Sequence, residues 1–183
     1  MKNSTAVRSS AAAFKDVRFL ILVALFAALS IVFGKMLAFT VGPIRISFEN
    51  LPILMAGIFL GAPAGVVTGI LADIIGCLIV GYSINPIITV GAACIGLVSG
   101  LLYQVMQNKN EPFTVLASVL PAHVIGSMIV KSIGLMAYYH YTILQVLPRI
   151  PLYLVIGTVE GLIIYKLLNN HAVSSQLERL KRR

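Results

Sequence analysis

The sequence predicts an all-α membrane protein: a single domain over residues 1–183, built as a six-transmembrane-helix bundle with the N- and C-termini cytoplasmic. Three observations predict it. Of 183 residues, 58% are hydrophobic and only 11% charged, and the mean hydropathy is +0.95, well outside the range of soluble domains. The apolar residues come in runs close to the roughly 20 that a crossing helix needs. The basic residues gather in three short segments: Lys2, Arg8, Lys15 and Arg18 before the first run, Lys109 in a polar break, and Arg179, Lys181, Arg182 and Arg183 at the end. The positive-inside rule makes these segments cytoplasmic. Topology thereby accounts for the net charge of +8 with no nucleic acid as partner; a basic end gripping nucleic acid or acidic lipid is the competing reading.

Each element follows from its own signals. The first helix runs over about 18–35, and no A-x-A-like cleavage site follows its apolar run, which argues against a signal peptide. A connector of about fourteen residues follows, containing "GPIRISFEN". The run after it is broken by Gly61 and Pro63, a turn signal that divides it into helices over about 51–60 and 63–80. The former is too short to cross a bilayer alone and is expected to be tilted or partly re-entrant, tolerated where its backbone packs on protein. "GYSINP" ends the third helix, and Asn85 caps a fourth over about 86–106, with Pro86 at its first position. "QNKNEP" precedes a fifth helix over about 113–139, and "YHYTILQVLP" precedes a sixth over about 146–168. Residues 1–17 and 169–183 are the cytoplasmic ends. Cys77 and Cys94 lie inside apolar runs without metal-ligand spacing and read as small buried hydrophobes, not as a disulfide.

Six charges stand apart from the cytoplasmic clusters: Lys35, Arg45, Glu49, Asp73, Lys131 and Arg149. The expected topology places them in the outer half of the membrane or just above it. An ionisable group at such depth costs a few kcal/mol unless it is paired or faces a cavity. Helical spacing makes several of them converge. Arg149, Tyr153, Gly157 and Glu160 form one stripe, Ser127, Lys131, Gly134 and Tyr138 another, and Asn85 shares a face with Thr89. One reading is a set of packing ion pairs such as Asp73 with Lys131. The other is a pocket for a small polar ligand carrying a carboxylate, because the cations outnumber the nearby anions. Tyr138 and Tyr153, on the cationic stripes, are expected to line such a pocket. Tyr139 and Tyr141 fit either the pocket or an aromatic belt.

The remaining candidates are more local. Lys166 is expected to snorkel to the inner surface, and Glu160 reads either as a coupling proton site or as a buried hydrogen-bonded carboxyl. His123 is expected to be a satisfied core histidine, while His140, on a loop, is placed to touch ligand; neither has a second histidine at metal-binding spacing. H-E-x-x-H, G-x-S-x-G, P-loop and dinucleotide-glycine patterns are all missing. The chain therefore reads as no enzyme, with no cofactor of its own, and any ATP-driven function needs another chain to supply the nucleotide site. On the first helix, Ala24 and Ala28 make a face small enough for close approach of a partner helix or of a neighbour within the bundle.

Ala24-x-x-x-Ala28, the long connector, and "GPIRISFENLPILMAGIFLG" leading into "APAGVVTGILADIIG" resemble the S components of energy-coupling factor (ECF) vitamin transporters, most closely the folate-specific group. The resemblance covers nearly the whole chain. It implies a multi-pass protein of the prokaryotic plasma membrane that binds a vitamin, folate in that group, from outside. It also implies docking by the first helix onto a membrane T subunit that carries two cytoplasmic ATPases. By carry-over, Ala24 and Ala28 become partner-binding residues, and Arg45, Ser47 and Glu49 become lid or pocket residues. Glu49 departs from the small residue expected there. Folate's two tail carboxylates would suit Arg45, Lys131 and Arg149, and its pterin edge Asp73 or Asn85. Pantothenate, riboflavin or a pyridoxine-like ligand is the alternative within the class. A small membrane enzyme acting on lipid phosphates is the alternative outside it, disfavoured by the scatter of only six acidic residues.

Overall fold

The protein is described here by a computed structural model covering residues 16–41, 44–106 and 111–170. The charges that carry the expected orientation, Lys2, Arg8, Lys15, Lys109, Arg179, Lys181, Arg182 and Arg183, lie outside these described residues, as does Pro43 of the connector.

Helix α1 (Val17–Ile31) starts at Asp16, whose carboxylate accepts the Arg18 backbone N–H at 3.0 Å. This satisfies one of the amides that a helix start leaves open. Its last turn widens to a π-helix over Val32–Met36. The connector is more ordered than a loop. Strands β1 (Phe39–Val41) and β2 (Ile44–Ile46) pair antiparallel with Thr40 opposite Arg45. The alternation in "FTV" and "IRI", with Gly and Pro between them in the sequence, carries that hairpin signal, which the apolar runs on either side obscure.

Helices α2 (Asn50–Leu60) and α3 (Ala62–Val80) are separated by Gly61 at φ 104°, a conformation that favours glycine. Helix α4 (Pro86–Met106) is capped by Asn85, whose Oδ1 accepts from Ile87 N at 3.0 Å and Ile88 N at 3.4 Å. Helix α5 runs as α-helix over Glu111–Ala122, as π-helix over His123–Val130, and as α-helix again over Lys131–Tyr139. The π stretch follows Pro121, whose ring and missing N–H disrupt the i−4 ladder. The last helix, expected from about residue 146, starts at Arg149 (α7, Arg149–Leu168), and a separate short α6 (Ile143–Val146) with a Thr142/Gln145 capping box precedes it.

The assembly is a helical membrane bundle. Among the described residues, five helical segments, Val17–Met36, Ala62–Val80, Pro86–Met106, Pro112–Tyr139 and Ile143–Leu168, are long and apolar enough to cross a membrane. Helix α2 is not: 11 residues rise only about 16 Å against a hydrocarbon core of about 30 Å. Apart from the partly buried Met55 and Leu60 it is buried, with Leu54 and Ala56 fully enclosed. A helix wrapped by protein exposes little backbone to lipid, which is why so short an element is stable there. Leu54, Ile95, Val115, Val119 and Ile164 form the centre of the core. Helices α3 and α4 meet backbone to backbone: a Cβ placed on Gly96 would lie 2.2 Å from the Gly65 carbonyl carbon and oxygen, the close approach that small residues permit between membrane helices.

Candidate functional site

At the end of the bundle that carries the hairpin and the α3–α4 and α5–α6 loops lies a cavity of about 460 Å³. It lies within the size range of small-molecule sites. Every helix except α2 and the short α6 contributes to its wall. Lys35 comes from the end of α1, Arg45, Ser47 and Glu49 from the connector, Asp73 and Cys77 from α3, and Tyr82, Ser83 and Asn85 from the α3–α4 loop. Ile88 belongs to α4, Lys131, Leu135 and Tyr139 to α5, Tyr141 to the α5–α6 loop, and Arg149 and Tyr153 to α7. Chain segments far apart in sequence thus bring four cations and two carboxylates to one space.

The charges are not equivalent. Lys131, 5% exposed, donates to Glu49 Oε1 at 2.8 Å and to Asn50 Oδ1 at 3.2 Å. The alternative pairing of Lys131 with Asp73 is not what forms, nor is a Glu49–Arg45 pair. Asp73 instead accepts from Thr89 Oγ1 at 2.6 Å, and Arg45 donates to the Gly34 backbone oxygen. Glu49 is fixed from a second side, because Ser30 Oγ donates to its backbone oxygen at 2.6 Å. Burial pushes the Glu49 carboxyl up, but the Lys131 ammonium and its hydrogen bond, helped by Arg45 and Lys35, outweigh it. The carboxyl is thereby held down from an ordinary 4.5 to about 2. Glu49 and Lys131 therefore cancel, leaving Lys35, Arg45 and Arg149 against Asp73.

Two of those cations rest on aromatic rings. Lys35 Nζ lies 5.5 Å from the Tyr82 ring centroid, and the Arg149 guanidinium carbon lies 5.3 Å from that of Tyr153, within cation–π range. Arg149 Nη2 is also 3.5 Å from Tyr153 Oη. Its Nε is buried with no hydrogen-bond partner among the described residues. A buried donor without an acceptor is costly.

The expected tyrosine wall needs correction. Tyr138 is 54% exposed and does not line the cavity, whereas Tyr139, Tyr141 and Tyr153 do. Lys131–Tyr139 is regular α-helix, so Tyr138 keeps close to the angular position of Lys131, but the cavity wall drifts around the helix in four-residue steps instead. The wall then takes Lys131, Leu135 and Tyr139, each four residues apart. Asn85 lines the cavity, yet its side chain is already occupied as the α4 cap and by donating Nδ2 to Gly134 O at 3.0 Å. His140 does not reach the wall. Tyr82 and Ser83 were absent from the expected set, since a loop side chain carries no periodic signal.

His123 and Glu160 are each fully buried and bonded to one another, Nε2 to Oε2 at 2.6 Å. His123 is thus a core histidine with a carboxylate partner, and Glu160 is hydrogen-bonded. On α1, Ala24 and Ala28 are exposed, while Val23, Ala27 and Ser30 face the bundle. No group of His, Cys, Asp and Glu among the described residues is arranged to hold a metal ion.

A helical membrane bundle with a charged and aromatic cavity at its end has the architecture of a membrane protein that binds a small molecule. The chain matches the family "ECF transporter, substrate-specific component" over residues 18–170, and it belongs to that family. As a member it is a substrate-binding transport subunit of the plasma membrane and not an enzyme; the family's ATPase activity lies in partner subunits. A crystal structure of FolT bound with folic acid shares the fold, with a TM-score of 0.66, 20% identity, and coverage of 83% of this chain and 93% of that one. The S component of a bacterial ECF transporter shares it too, with a TM-score of 0.57, 17% identity, and coverage of 90% and 97%. No curated protein matches the chain.

Proposed function

We propose that the protein is a folate-binding S component, which takes folate from the extracellular side and passes it inward in complex with a T subunit and two ATPases. The observation that carries the reading is Arg149: stacked on Tyr153, facing the cavity, with a buried Nε that has no partner among the described residues. With Lys35 and Arg45 beside the same cavity and Glu49 neutralised by Lys131, a ligand with two carboxylates is the complement. Tyr82, Tyr139, Tyr141 and Tyr153 supply faces for a flat ring. The Asp73 carboxylate, bonded on one oxygen by Thr89, is an acceptor for ring N–H groups, which leaves Asp73 better suited than Asn85 to a pterin edge. The structural relative bound with folic acid agrees with this choice. The cytoplasmic orientation of both termini completes the proposed topology.

Docking onto the T subunit is assigned to the Ala24/Ala28 face of α1, supported by its exposure. The deciding test is retention of tritiated folate, pantothenate, riboflavin and pyridoxine by the purified protein. Folate is expected to be retained and displaced by unlabelled folate alone. Tight retention of another vitamin with none of folate overturns the choice of ligand.

A further inference from the structure

We propose that His123 and Glu160, neither of which lines the cavity, are positioning residues for ligand binding that act through Tyr153. The inference rests on the proposed ligand site. The His123 ring is stacked on the Tyr153 ring, with centroids 5.8 Å apart and an interplanar angle of 28°, and Tyr153 in turn carries the Arg149 guanidinium. A stack of this kind holds a ring only if its lower member is itself held. Glu160 does this from α7 through the 2.6 Å bond to Nε2, and Ser127 Oγ lies 3.4 Å from Nδ1 on the other side.

The same histidine touches the second charged group of the cavity. Ser127 Oγ accepts from Asn50 Nδ2 at 3.3 Å, and Asn50 Oδ1 accepts from Lys131. One buried side chain therefore stands behind both the Arg149 wall and the Lys131 wall. Its place is shaped for it: a Cβ on Gly157 of α7 would lie 2.9 Å from His123 Cδ2, so that helix leaves room for the imidazole. Glu160 Oε1 has no hydrogen-bond partner among the described residues. The carboxylate is thus anchored by His123 alone of the side chains bonded to it, and the two act as one unit.

The experiment measures folate affinity and the near-ultraviolet circular dichroism of the tyrosines in wild type, Glu160→Gln, Glu160→Leu and Tyr153→Leu, and in the Glu160→Leu/Tyr153→Leu double variant. Glu160→Leu removes the anchor and is expected to raise Kd about tenfold, while Glu160→Gln, which can still hydrogen-bond the imidazole, stays within about threefold of wild type. In the Tyr153→Leu background Glu160→Leu should cost much less than it does alone, since coupled residues do not add; the remainder is the part carried through Ser127 and Asn50. Where Glu160→Leu alone does not fold, His123→Phe/Glu160→Leu supplies an apolar pair of similar volume and takes its place in the cycle. A wild-type Kd in the unanchored variant, or the same fold-loss in both backgrounds, overturns the proposal.

The dichroism needs no ligand. The tyrosine band is expected to change with Glu160→Leu and to show no such change once Tyr153 is gone. Absence of folate binding by wild type therefore fails the folate reading alone, and an unaltered tyrosine band then overturns the positioning role.

Discussion

Arg149→Ala tests the proposed ligand chemistry most directly. The guanidinium lies over Tyr153 at 5.3 Å, and its Nε has no acceptor among the described residues. Substitution thus removes a preorganised donor at the cavity wall without breaking an ion pair. A charge-assisted hydrogen bond to a carboxylate contributes about 1.5–3 kcal/mol. Direct Coulomb attraction at 4 Å and an effective dielectric of 20 is about 4 kcal/mol, so the hydrogen-bond range is the net after desolvation. At about 1.4 kcal/mol per decade, Kd for folate should rise about 10- to 150-fold. Arg149→Lys should recover only part of the loss, since an ammonium lacks the planar fork that pairs with a carboxylate. Equilibrium binding of tritiated folate in detergent, with gel filtration as the control for folding, measures both. An Arg149→Ala protein that binds within twofold of wild type refutes the idea that a ligand carboxylate sits on this guanidinium.

Three other predictions follow from the same geometry. Because the Glu49 carboxyl is held down to about 2, the stability contributed by its pair with Lys131 is fully present above the ordinary 4.5 and lost as pH falls through about 2; melts of wild type and Glu49→Gln should run parallel above pH 5 and converge in acid. Gly96→Ala should lower stability by about 1–3 kcal/mol through overpacking, because the new methyl would meet Gly65 backbone at 2.2 Å; a thermal melt that shows no loss would mean that α3 and α4 are not so close. Ala24→Trp should keep folate affinity and abolish uptake when the protein is reconstituted with its T subunit and ATPases, while loss of affinity as well would contradict an outward-facing role for that face.

The membrane class and the main helical runs could be read from residue order because hydrophobic run length is a local property, as are the punctuation of Gly61 and the capping of α4 by Asn85. The cations of the site were visible for a similar reason: a charge in an apolar run is conspicuous wherever it folds. Which charges remain open to a ligand was not visible. Lys131 pairs with Glu49 across 82 positions of sequence, and no local pattern distinguishes that pairing from Lys131 with Asp73. The hairpin was concealed by its brevity, and Tyr82 by its loop.

The tyrosines show where the boundary falls. A stripe counted along α5 names residues that share a face, but which of them meets the cavity depends on where the neighbouring helices leave space, and that space follows Lys131, Leu135 and Tyr139 while Tyr138 stays exposed. The pairing of His123 with Glu160 likewise joins two helices that residue order treats separately. Composition and run length by themselves determined that this chain is an apolar helical bundle with a few charges set apart inside or beside its apolar runs. Only tertiary packing decided that Glu49 neutralises Lys131 while Arg149 stands on the cavity wall with no carboxylate partner among the described residues, because pairing among charges depends on distances between helices, and those are set by the glycine contacts and helical phase of the whole bundle.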